Sequence, residues 1–201
     1  MRNQSVVLLN SLCRANVAIL SQKVSLLDTL VMKYGKEMAQ DYFIKTCPIV
    51  QASIGQHIRH SMDHIEKAVS SAAARNNNDP TIHYDERIRG GTDENDLEQS
   101  KQRIQSVQNL LSSSSSSWST IETVKACFYL TSNKEHESRL PSTTARELGF
   151  AAHHAIHHLA MVKIISLQTA GLTEEELPLD FGKAPSTVIF EHETTVFNNN
   201  N

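Results

Sequence analysis

An all-α fold, an antiparallel four-helix bundle with a small β-hairpin before its last helix, is predicted by three features of this sequence. Apolar residues recur at steps of three and four over long segments, the period of a helix with one buried stripe. Capping signals open two of those segments. A single region, around residues 120–140, alternates in the manner of strands. A chain of 201 residues suits one domain with a substantial core, placed here at residues 1–190, with 191–201 as a disordered tail.

The first helix is marked by Val6, Leu9, Cys13, Val17, Leu20, Val24, Leu27 and Val31 and is predicted to end before Tyr34-Gly35. Residues 38–46 read as a loop or a short helical turn carrying Tyr42 and Phe43. Pro48 suits the first turn of a second helix, where its missing N–H costs nothing. That helix carries Ile54, Ile58, Ile65 and Val69 and fades into an alanine run.

Asn76-Asn77-Asn78-Asp79-Pro80 is a turn by composition, and residues 83–91 a charged, glycine-ended connection. Asn95-Asp96-Leu97-Glu98 launches a third helix through Leu97, Ile104, Val107 and Leu111. Residues 112–117 are a serine tract and read as a loop. Residues 120–130 and 137–140 pair as the hairpin, with Pro141 as its end. Thr144-Ala145-Arg146-Glu147 is a second capping box, with Glu147 as a capping side chain, and Gly171 closes the fourth helix. The tail through Asp180-Phe181-Gly182 and Ala184-Pro185-Ser186-Thr187 reads as extended and packed on the helices.

A net charge of -3 gives no reason to expect nucleic acid or an anionic membrane as partner. Cys13, Cys47 and Cys127 are an odd number without a paired motif, which suggests reduced thiols and a cytoplasmic protein. The short apolar run near Arg2, interrupted at Asn10 and Arg14, makes a poor signal sequence. No stretch approaches the roughly 18–20 apolar residues of a membrane span.

The chemistry points to histidine. His153-His154-Ala155-Ile156-His157-His158 lies inside the fourth helix, and His57, His60 and His64 lie on the second. Residues four apart share a helix face, so His153 with His157, or His154 with His158, can aim at one ion. Leu148, Ala152, Ala155, Leu159 and Val162 define the apolar face, and this favours His154 and His158 as the inward pair. On the second helix periodicity leaves the choice open, leaning towards His57 or His64. One imidazole from there and two from the fourth helix make three nitrogen ligands with an open position, a catalytic-type site for Zn²⁺ or a related divalent ion.

Other metal motifs are absent. The zincin pattern needs Glu directly after its first His, a di-iron bundle needs Glu-x-x-His twice, and hemerythrin-type bridging carboxylates are missing at the spacing of four. Nor is there a nucleophile-elbow sequence to support a Ser-His-Asp hydrolase. His83, His136 and His192 have no helical partner and receive no role.

Longer motifs add to this. Gly55-Gln56-His57-Ile58-Arg59-His60-Ser61-Met62-Asp63-His64, Tyr84-Asp85-Glu86-Arg87-Ile88-Arg89, Arg146-Glu147-Leu148-Gly149-Phe150 and His154-Ala155-Ile156-His157-His158 occur in that order, followed by Asp180-Phe181-Gly182 and Ala184-Pro185-Ser186-Thr187. Over most of its length the chain resembles the DinB-like (DinB/YfiT) superfamily of metal-dependent helical-bundle proteins. The resemblance implies one divalent metal, Zn²⁺ or Ni²⁺, on His60, His154 and His158. Arg59, Tyr84, Arg87 and Arg89 are candidates for holding an acidic substrate or cofactor near that metal, and His57, Asp63, His64 and His157 for orienting the ligand imidazoles. That superfamily includes thiol-dependent transferases and isomerases, and the leading reading is a metal-dependent hydrolase or thiol-dependent transferase whose substrate is not identified. The competing reading is a non-catalytic bundle whose histidines serve stability, metal storage or partner binding. A small-molecule substrate and a second copy of the chain are the partners compatible with the first. Metal is expected to leave as pH falls through the histidine range near 6.5.

Overall fold

The computed structural model describes residues 2–73, 80–86, 91–114, 118, 123–132 and 137–199. The chain is mostly helical with a small three-stranded sheet. In chain order the elements are α1 (Arg2–Ile44), α2 (Ile54–Ala73), β1 (Thr81–His83), α3 (Thr92–Asn95), α4 (Leu97–Ser114), β2 (Thr123–Phe128), β3 (Ser138–Thr143), α5 (Thr144–Thr169) and α6 (Pro185–Asn199). A single 3₁₀ turn, Glu174–Glu176, lies between α5 and α6.

The buried stripe of α1 keeps the expected Leu9, Cys13, Leu20 and Leu27 but not the expected valines. Leu9, Cys13, Asn16, Leu20, Lys23, Leu27 and Leu30 are buried, in steps of three and four, while Val6 is exposed and Val17, Val24 and Val31 sit at the edge. Two polar residues therefore occupy the centre of the face. Asn16 is satisfied there by donating to the backbone carbonyls of Leu12 and Leu148, at 2.9 and 3.2 Å. The helix breaks where expected, at Gly35, whose φ of 75° suits a residue without a Cβ. It then resumes to Ile44, carrying Ala39 and Phe43 into the core where a loop or short turn was expected.

The second helix starts later than Pro48. Residues 48–50 form a turn, and Ser53 caps α2: its hydroxyl accepts from Gln56 N–H at 3.1 Å, while the Gln56 side chain accepts from Ser53 N–H at 3.0 Å. Asp96 caps α4 by accepting from Gln99 N–H at 2.9 Å, as its sequence predicts. On α5 the capping side chain is Thr143, which accepts from Arg146 N–H. Glu147 is no cap, because it is fully buried and engaged elsewhere.

Helix α2 lies against α5, and α1 lies against α4 and α5. One core joins them through Leu20 and Leu27, Ile58 and Ile65, Ile104, and Leu159 and Val162. The sheet order is β1-β2-β3, with β1 parallel and β2–β3 antiparallel. The expected hairpin is present, and β1 joins it from the segment read as a connection. Strand β3 runs through Pro141 to Thr143 instead of stopping at the proline; an edge strand has one side without ladder bonds, so the missing N–H is tolerated. Ile82, Tyr84, Val124 and Ala126 form a smaller core on one sheet face, with Phe128 and Phe150 against it.

Gly171, with φ 63°, follows α5 as expected. The segment from Pro185 is helical where an extended tail was expected, and α6 runs to Asn199 across the stretch read as disordered. The three cysteines are buried free thiols. Among the described residues no helix is long and apolar enough to cross a membrane.

Candidate metal centre

The packing of α2 on α5 brings the two histidine clusters face to face. Leu148, Ala155, Leu159 and Val162 anchor α5 in the core, which turns His154 and His158 towards α2 and leaves His153 and His157 exposed. On α2, Ile58, Met62 and Ile65 are the buried anchors, and His57, His60 and His64 line the edge facing α5.

Nε2 of His154 lies 3.3 Å from Nε2 of His60 and 3.1 Å from Nε2 of His158. The ligand nitrogens of all three lie within 4.8 Å of one another. Tetrahedral Zn²⁺ with bonds of about 2.0–2.1 Å would separate its nitrogen ligands by about 3.3 Å. The rings stand steeply to one another, at 76° for His60 with His154, 80° for His60 with His158 and 66° for His154 with His158, as rings converging on a point do.

The ring of His158 also fixes its own tautomer in a metal complex. Its Nδ1 is 2.8 Å from Nδ1 of His57. If Nε2 of His158 is a ligand, Nδ1 carries the hydrogen and donates it to His57 Nδ1, so His57 must carry its own hydrogen on Nε2. That atom is buried without a hydrogen-bond partner among the described residues. The ring of His57 thus lies directly against that of His158.

Burial disfavours the charged form of His57, His154 and His158. Burial lowers the pKa of His158, helped by the neighbouring rings of His60, His154, His57 and His157. Burial lowers His154 as well, with His157, Lys23 and His153 adding to the effect. Burial and His157 lower His57. A neutral imidazole is the form that ligates, so these shifts favour cations other than the proton.

A cavity of about 310 Å³ opens beside His60 and His158, lined also by Ala52, Gln56, His57, Arg59 and Glu94. Arg59 is the cationic side chain on its wall, only 8% exposed, with Nε 2.5 Å from Glu94 Oε2. The neighbouring carboxylate of Asp63 faces two arginines. It lies 3.5 Å from Arg59 and 2.8 Å from Arg103 of α4, which also grips Glu66 and Asp93. Asp63 thus ties α2 to α4.

Tyr84 is not on the cavity wall. It is buried, donates to Glu147 Oε2 at 2.7 Å, and stacks between His64 at 4.8 Å and Phe128 at 4.9 Å. Burial and the Glu147 carboxylate push its phenol well above the ordinary range. Glu147 also accepts from Ser142 at 2.5 Å and Arg146 at 2.7 Å. Tyr84 therefore supports the trio from behind, through the ring of His64, which is 4.1 Å from that of His154. The exposed His157 ring touches His158 edge-on at 5.4 Å. Arg87 and Arg89 lie outside the described residues.

Lys23 is the neighbour that periodicity missed. Its ammonium group, fully buried, donates to Ser61 Oγ at 2.7 Å, one residue past His60. Burial lowers its pKa to about 7, Arg103 adds to this, and Glu66 and Asp63 oppose it. The signal in the sequence is its position midway between Leu20 and Leu27 on the buried stripe, a place a lysine rarely occupies.

No family model and no solved structure matches the chain. Among curated proteins it is similar to FK506-binding protein 5 of Rhizopus delemar, 34% identical over 108 residues. The matched stretch is 53% of this chain and only 26% of that protein's length.

Proposed function

We propose that the chain is a DinB-like protein in which α1, α2, α4 and α5 make an antiparallel four-helix bundle holding one divalent metal ion, Zn²⁺ or Ni²⁺, on His60, His154 and His158. The observation that carries this reading is the meeting of three imidazole nitrogens from two helices at about the spacing a tetrahedral ion requires. Three protein ligands leave a position open, which is the arrangement of catalytic sites. When bound, such an ion supplies Lewis acidity that lowers the pKa of a water or thiol in that position.

The residues of the chain divide the remaining work. His57 holds the ring of His158 by accepting its Nδ1 hydrogen. Arg59 offers positive charge at the cavity wall, and an acidic substrate group would compete with Glu94 for it. The cavity is at the small end of the range for small-molecule sites. Metal-dependent hydrolysis or thiol-dependent group transfer is the activity proposed.

Elemental analysis of untagged protein tests the metal. One ion per chain is expected at this trio, so the metal content should fall by about one equivalent in His158→Ala; a metal content unaffected by that substitution would overturn the site. Hydrolase and thiol-substrate assays of wild type against His154→Ala then test catalysis. Equal rates with metal present in the wild type would leave metal storage or stability as the role of the histidines.

A further inference from the structure

We propose that His83, Cys127 and Glu137 form a second metal site, for a borderline-soft divalent ion such as Zn²⁺, on the sheet face opposite the small core.

Strand register builds it. His83 of β1 pairs in register with Cys127 of β2, and Cys127 pairs with Arg139 of β3. Directly paired residues project to the same face, and side chains alternate along a strand. Ile82, Val124 and Ala126 point into the small core, so His83 and Cys127 project from the other side. Glu137, two residues before Arg139, shares that side.

The ligand atoms meet. A nitrogen of His83, the sulfur of Cys127 and a carboxylate oxygen of Glu137 all lie within 4.8 Å of one another. His83 Nδ1 is 2.7 Å from Glu137 Oε2. The other oxygen, Oε1 of Glu137, is buried and has no hydrogen-bond partner among the described residues. A buried carboxylate oxygen without a donor is costly, and a cation is the group that relieves it.

The donor set of imidazole, thiol and carboxylate suits Zn²⁺, and a hard ion such as Mg²⁺ would not select the sulfur. Cys127 is fully buried, while His83 is 31% exposed, so an ion enters from the histidine side. Glu86, exposed and with Oε1 3.8 Å from His83 Nδ1, is placed to supply a fourth ligand. On binding, the Cys127 proton leaves to solvent and the His83 hydrogen moves to Nε2.

Co²⁺ titration of the full chain separates this site from the histidine trio, because only a sulfur ligand gives a thiolate charge-transfer band in the near ultraviolet. The band is expected in wild type and equally in His158→Ala. It is expected to vanish in Cys127→Ser, with one equivalent of Co²⁺ fewer bound. His83→Ala, a change at a partly exposed position, is expected to raise the dissociation constant read from the band about tenfold or more. Absence of the band from folded wild type, or its persistence in Cys127→Ser, would overturn the proposal, as would an unchanged affinity in folded His83→Ala. Loss of the band in His158→Ala alone would also overturn it as an independent site.

Discussion

Lys23 offers the sharpest test of the packing beneath the histidine trio. The fall in its pKa from 10.5 to about 7 corresponds to about 5 kcal/mol of penalty on the charged form in the folded protein. At pH 7 about 4 kcal/mol of that is still borne by the fold. Lys23→Met keeps the length and removes the charge, and forfeits the hydrogen bond to Ser61, worth about 1 kcal/mol. Ser61 is not stranded, since its hydroxyl also donates towards the carbonyls of His57 and Ile58, at 3.0 and 2.9 Å. The variant is therefore expected to be about 3 kcal/mol more stable than wild type at pH 7. The sign with pH is determined too. Between about 7 and 10.5 the unfolded chain binds a proton that the folded chain does not, so wild-type stability rises with pH there and the advantage of Lys23→Met shrinks. Urea unfolding of metal-free protein, followed by circular dichroism at pH 7 and pH 10, reads both effects. A less stable variant at pH 7, or a gap independent of pH, would refute the reasoning.

His57→Ala is expected to weaken metal binding about 10- to 100-fold with the ligands intact, and His157→Ala to leave it within a factor of about two; equal losses in competitive chelator titrations would remove the orienting role of His57. Gly55→Ala is expected to cost about 1–3 kcal/mol in a urea melt, because its Cβ would lie 2.2 Å from the backbone oxygen of Glu94 and 2.7 Å from the Phe43 ring; wild-type stability would refute that close approach. Burial holds the folded pKa of His158 below its unfolded value of 6.5, so metal-free protein is expected to lose stability as pH falls below 6.5, at up to about 1.4 kcal/mol per pH unit from this residue, and to lose none from it above; an equal slope in His158→Ala would exclude it as the source. The same depression moves proton competition for the metal below pH 6.5, so bound ion is expected to persist at pH 6, as measured by dialysis and elemental analysis.

Much of the local structure was legible from spacing alone. The break at Gly35, the cap at Asp96, the close at Gly171 and the inward turn of His154 and His158 each depend on residues within a few positions of one another. The errors have local causes as well. Reading α1 along its valines passed over Asn16 and Lys23, because hydropathy assigns polar residues to solvent and cannot foresee the carbonyls of Leu12 and Leu148 or the hydroxyl of Ser61 that receive them. Tyr84 looked like a binding residue beside charged neighbours, yet its alternation with His83 sends it into the small core.

The sequence by itself determined the break at Gly35, the starts of α4 and α5, the close at Gly171 and which pair of α5 histidines shares the buried edge, since a period of 3.6 residues and a capping side chain act within one turn. Tertiary structure alone decided that His60 reaches His154, that His57 backs His158, and that His83, Cys127 and Glu137 meet across three strands. Those contacts span tens of residues, and they exist only because burial of apolar stripes and strand register place separate elements at fixed angles and offsets. Each ring nitrogen then lies within about 3 Å of another, a distance that no spacing along the chain encodes.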